Sequence, residues 1–340
     1  MNSKNADILN LPSILEELTR TLLYEGYSLF PYHRSAIKNQ KPVPFGVIYP
    51  KDYNTYNQHS HAAMQSECIV TGGDDLSINI IVRFLHLIKT EVLKQNNEKE
   101  NEVDDVVAGW QTIEREINSG NLLITELIKN RKEFPIRFDK MNEDRYVYDD
   151  SDNVKAKRIN SASEIKGNVI IEASTVENMK NTFRIRVNIT NTSSIVNADV
   201  IARDEALCQS FLSTHIILKS ANGEFISGQN PAENFKQAIA QCKNTGTWPI
   251  LVDESNTTML CSPIILYDHP QINPQSKGDL FDSTEIEEAL MLHFAVMSDD
   301  EKNRIADSDE KLKAMLNKVG MVTPEEMIGL HGGMHENQNK

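Results

Sequence analysis

The chain has 340 residues, 39% of them hydrophobic and 25% charged, with a formal net charge of -14. That length supports two or three cores, and the acidic balance argues against a general nucleic-acid partner, which needs a basic surface to displace phosphate counterions. No stretch approaches the ~18 uninterrupted apolar residues of a membrane span, and the first seven residues have neither a basic start nor an apolar signal core, so the expected location is the cytoplasm.

In chain order, residues 11–27 carry Ile14, Leu15, Leu18, Leu22 and Leu23 on one side of a 3.6-residue repeat, which predicts a helix. Four prolines between residues 29 and 50 forbid a long helix there and leave a short strand at 45–49. Residues 67–71 and 77–82 flank Gly72-Gly73-Asp74-Asp75 and read as a hairpin running into a helical tail. The polar run 94–105 reads as an exposed loop, and Trp110, Ile113, Ile117, Leu122 and Leu127 give helical spacing. Asp, Asn, Lys and Ser dominate residues 140–162, placing a domain boundary near residue 150.

Beyond that boundary the pattern is strand-like. Phe183, Ile185, Val187 and Ile189 alternate with polar residues, residues 211–218 form an apolar run, and Asn222-Gly223 is a strong hairpin signal. A helix over 232–243 precedes strands at 248–252 and 257–267, the last read as central because residues 259–267 are almost continuously apolar. Asp282 with Glu285, and Thr323-Pro324 with Glu326, are helix starts in a C-terminal segment where residues 276–340 hold 14 acidic against 7 basic side chains.

The expected class is therefore α+β. It comprises a mixed α/β N-terminal domain (1–150), an antiparallel β-sandwich-like middle domain with one inserted helix (151–275), and an acidic helical C-terminal segment (276–340).

Four scattered cysteines with no CxxC pair exclude a zinc-ribbon or disulfide reading. His59, His61 and Cys68 supply ligand types suited to zinc or nickel, the sole cofactors to consider, and the same trio would serve a metal-dependent or cysteine hydrolase. The competing explanation is two loop histidines and an unrelated core cysteine, which is why Cys68 is expected to be buried. Ser213 and His215 sit two apart in a strand and share a face, without a recognisable third member of a triad. Tyr24, Tyr27 and Tyr32 with Arg34 and Lys38 form a basic and aromatic group suited to a protein partner, competing with a plain domain-edge role. Asp268, His269 and Asp279 line a proline-rich connection that is a second candidate partner surface, or only a connector.

LLYEGYSLFPYHRSAIKNQ (22–40), FGVIYP (45–50), SEC (66–68), VRFLHL (82–87), FLSTHIILKSANGEFIS (211–227), SPIILYDHPQINPQSKGDLFDSTEIEEAL (262–290) and LHG (330–332) resemble a bacterial family. Its members are encoded beside uptake nickel-iron hydrogenases of the high-affinity type. The resemblance implies an accessory or assembly factor rather than an enzyme, with a hydrogenase subunit or maturation factor as partner. Alternatives are the hydrolase above and a structural subunit of a larger assembly.

Overall fold

The computed structural model describes residues 45–57, 59–94, 106–148 and 154–270, together with Leu15, Thr19 and Leu23. Those three are helical and buried, and the Thr19 hydroxyl donates to the Leu15 carbonyl at 2.8 Å, consistent with the i, i+4 stacking of one helix face. The chain divides into one unit of residues 43–269 and another of residues 1–42 and 270–340. The helices expected after residue 276 lie outside the described residues.

The unit is mostly antiparallel β-sheet with few helices, and it is organised around β1 (Ala63–Lys94). Isoleucine, valine, leucine and phenylalanine fill β1 on both faces, which suits a strand at the centre of a sheet. Its 32 residues would extend roughly 100 Å if straight, so it changes partners along its length. Residues 63–71 pair with β7 (Thr182–Asn191), and residues 77–93 pair with β2 (Val106–Leu123). Residues 70–85 pair with β8 (Leu212–Phe225), and residues 89–94 with β5 (Val154–Ala162). β6 (Ile165–Thr175) and β3 (Lys132–Phe138) extend the sheet beyond β7, while β10 (Thr258–Ser262) and β9 (Trp248–Leu251) extend it beyond β8. β4 (Met141–Tyr148) hairpins onto β5.

Three readings of the sequence are corrected by this topology. The ten strands form one sheet rather than a sandwich on a separate domain, and the boundary expected near residue 150 falls inside the β4–β5 hairpin. The chain instead parts between Pro42 and Val43 and between His269 and Pro270. β2 is a strand over residues read as helical, because its whole length has a partner in β1; a helix is confined to α2 (Ile124–Lys129), following α1 (Lys51–Tyr56).

Neither hairpin signal makes a hairpin. Gly72 pairs with Gly223 and Ser77 with Ala221, so three extra residues of β1 bulge out opposite Asn222-Gly223 while both strands run on. Leu76, fully buried, folds over Gly223: a Cβ there would lie 2.4 Å from Leu76 Cδ1 and 2.5 Å from the Thr71 carbonyl oxygen. Glycine is required for close approach, not for a reversal.

The core joins alternate β1 residues Ile78, Ile80, Val82 and Phe84 to Val169, Ile185, Val187 and Ile216. Ile124 and Leu127 of α2 pack into it, and Phe84 lies 4.6 Å from Phe211 between ring centroids. β6 and β7 alternate between buried and partly exposed residues, as the pattern of Phe183, Ile185, Val187 and Ile189 predicts for β7. The expected 232–243 helix is a 3-10 turn at Glu233–Phe235 and α4 (Lys236–Ala240), after α3 (Arg203–Leu207).

Candidate functional site

Residues distant in sequence meet in space around β8. Phe45 and Gly46 carbonyls accept from the Ser213 and Thr214 amides at 3.0 and 3.1 Å, and a Cβ on Gly46, whose φ is +54°, would strike Pro263. The Ser66 hydroxyl donates to Cys261 Sγ at 3.2 Å, and the Ser227 hydroxyl donates to the Asp268 carboxylate at 2.5 Å.

The segment after β10 is the exposed part of this assembly. All five residues of β10 are buried, but the strand ends at Ser262, whose hydroxyl accepts from the Ile264 amide. The expected strand to residue 267 is thus cut short. Ile265 and Tyr267 point outward, 70% and 73% exposed, while Ile264 and Leu266 stay buried. Trp248, paired with Ser262 in register, is 43% exposed. The segment is fastened to β9 at Leu251, where Asp268 Oδ1 accepts from the Leu251 amide at 2.8 Å and the His269 amide donates to the Leu251 carbonyl at 2.7 Å. Gln229 Nε2 also donates to the Leu266 carbonyl at 2.6 Å. Both Asp268 oxygens are therefore engaged, one by the Leu251 amide and the other by the Ser227 hydroxyl, whereas His269 is exposed. Three large apolar side chains stand on a fixed frame at the sheet's edge. Sequence reading missed them because continuous hydrophobicity resembles a core strand.

The metal and hydrolase set does not assemble. His59 and His61 are exposed, Cys68 is buried at 4%, and no three His, Cys, Asp or Glu side chains among the described residues are placed to hold a metal ion. Burial, with Cys261, Cys242 and Glu67 nearby, pushes the Cys68 thiol well above its usual range, so it stays protonated and a poor nucleophile. Glu67 is a structural group: its carboxylate accepts from Arg186 Nε at 2.5 Å and from the Lys243 amide at 2.8 Å.

Ser213 and His215 do not form a nucleophile–base pair either. His215 Nδ1 donates to the Ser213 carbonyl oxygen rather than meeting its hydroxyl, and Ser213 Oγ and His215 Nε2 lie buried without a hydrogen-bond partner. Enclosure holds the His215 imidazole down to about 4, so it is neutral at physiological pH. Arg83, cross-strand from His215, pairs with Glu116 at 2.8 Å. Tyr24, Tyr27, Tyr32, Arg34, Lys38 and Asp279 lie outside the described residues.

No family model matches this chain, and no curated protein matches it.

Proposed function

We propose that this chain is a non-catalytic accessory or assembly factor that binds a protein partner through the edge formed by Trp248, Ile265 and Tyr267. The observation that carries this reading is that Ile265 and Tyr267 are exposed on a segment tied down at Leu251, Ser227 and Gln229, with Trp248 exposed on β9 where that strand pairs with Ser262. Aromatic anchors held in place before binding lose little conformational entropy when a partner covers them, and such residues dominate interface energetics. His269 extends the same rim with a polar group. The partner class, a subunit or maturation factor of a nickel-iron hydrogenase-like metalloenzyme in the cytoplasm, follows from the family resemblance of stretches 22–40 and 262–290.

The test is copurification of the tagged full chain with the uptake hydrogenase of the cell that encodes it. The wild-type chain retains a hydrogenase subunit or maturation factor, and the Ile265→Asp, Tyr267→Asp double variant loses it with an unchanged thermal midpoint. Retention by the variant, or no hydrogenase component on the wild-type chain, refutes the proposal.

A further inference from the structure

Lined by none of the residues of that edge, a cleft of about 440 Å³ opens where β1, β5 and β4 meet the loops that follow β7 and α3. Its floor is set by register: Lys89 of β1 pairs with Ser161 of β5, which pairs with Asn142 of β4, so the three side chains form one row on one face. Lys166, at the start of β6, and Lys140, in the turn before β4, supply two further ammonium groups. Ser163, Ser193 and Ser194 add hydroxyls to that of Ser161.

The walls are fixed from behind. Asn191, 1% exposed, donates through Nδ2 to the carbonyls of Ile48 and Gln209, while its Oδ1 accepts from the Ser193 amide at 2.9 Å. The Ser193 hydroxyl accepts from the Lys166 amide at 2.9 Å, so the loop carrying Ser193 and Ser194 is locked to the strand carrying Lys166. Such a frame presents its polar groups without a large ordering cost.

The charge balance favours an anion. Three lysines face one carboxylate among the lining residues, Glu164, in a chain whose net charge is -14. Glu164 lies 2.6 Å from Lys166 Nζ but also 3.8 Å from Arg137, so its single charge is shared between two cations. Lys89 pairs with Glu91 at 2.8 Å, whereas Lys140 makes no ion pair among the described residues. Cys208 adds no charge, because burial pushes its thiol up to about 11.

The kind of anion follows from the donors. The lining residues include no arginine, the side chain whose planar fork suits a carboxylate, and no aromatic ring on which a base would stack. Ammonium point charges interleaved with hydroxyl donors suit the distributed charge of a tetrahedral oxyanion. We propose that this cleft binds the phosphate group of a small polar ligand, with Lys140 and Lys166 as charge partners and Ser161 and Ser194 as hydroxyl donors. The site is independent of the protein-docking edge, and each stands if the other fails.

Isothermal titration calorimetry of the full chain at low salt tests this with three probes: inorganic phosphate, glycerol phosphate and malonate. Phosphate and glycerol phosphate are expected to bind saturably, with malonate at least roughly tenfold weaker. Tighter binding of glycerol phosphate than of phosphate identifies a phosphomonoester as ligand, and equal binding identifies free phosphate; either supports the site. Lys140→Gln should weaken both roughly tenfold with an unchanged unfolding midpoint, because its ammonium has no ion-pair partner among the described residues. Lys236→Gln on α4, an equal loss of charge away from the cleft, should leave binding unchanged. Absence of saturable binding, malonate binding as tight as phosphate, or equal losses in Lys140→Gln and Lys236→Gln would overturn the proposal.

Discussion

Lowering the pH should destabilise this fold through two histidines before carboxylates become important. His86 and His215 are 0% and 1% exposed, and burial holds each imidazole down from 6.5 to about 4, with Arg115 beside the first and Arg83 beside the second adding repulsion. In the unfolded chain both rings titrate near 6.5, so between that value and about 4 the unfolded state binds more protons and stability falls as pH falls. At ~1.4 kcal/mol per pH unit, each ring contributes a loss of about 2 kcal/mol by pH 5 and about 3 kcal/mol once both states are protonated. His86 continues the core-facing series of Val82 and Phe84, whereas His215 is paired with Arg83 on the opposite face, so the two losses should add. Urea unfolding followed by circular dichroism, from about pH 8 to pH 5, should therefore lose roughly 4 kcal/mol in total. His86→Leu removes one titrating ring and halves that loss. The substitution also removes the ring's contact with the Ser163 backbone, a cost of about 1 kcal/mol that is the same at pH 8 and pH 5, so the slope and not the value at pH 8 is the readout. An unfolding free energy that is flat from pH 8 to pH 5, or a His86→Leu variant with the wild-type slope, would refute the reasoning.

Gly223→Ala should destabilise by several kcal/mol on chemical denaturation, since its Cβ would collide with Leu76 and the Thr71 backbone, whereas Gly120→Ala, with nothing within 4 Å and φ +64°, should cost only about 1 kcal/mol. Ile217→Asp, at 0% exposure, should abolish soluble expression or lower the thermal midpoint drastically, while Ile265→Asp should shift stability by no more than about 0.5 kcal/mol. Thiol counting on the native chain near pH 8 should leave Cys68 and Cys261 unlabelled, since burial pushes the second up to about 12 and the first well above its usual range; all four thiols should react after unfolding.

How far the fold was legible depended on whether local pattern and tertiary partner agreed. β7 lies where the period-two alternation of Phe183, Ile185, Val187 and Ile189 places a strand, because one face is packed and the other is partly exposed. β2 was read as a helix because Ile113, Ile117 and the leucines after Gly120 also satisfy a 3.6-residue period; its strand state is imposed by eighteen residues lying along β1, a pairing no local window contains. The glycine pairs misled for a related reason. Gly-Gly and Asn-Gly signal reversal when strands are short, yet here two long strands continue past each other and the glycines make room for Leu76.

The candidate docking edge was hidden by the same ambiguity in hydrophobicity. Residues 259–267 are one apolar run, and nothing in their composition separates Leu260, fully buried between β8 and β9, from Ile265, which stands in solvent. What divides them is Ser262: beyond it the chain leaves the ladder and is caught instead by Asp268, whose two oxygens reach Ser227 and the Leu251 amide from distant parts of the sequence. A run of apolar residues is sorted into core and surface by where its backbone hydrogen bonds go. The residues that resemble a core strand and face water are those on which the proposed partner binding rests.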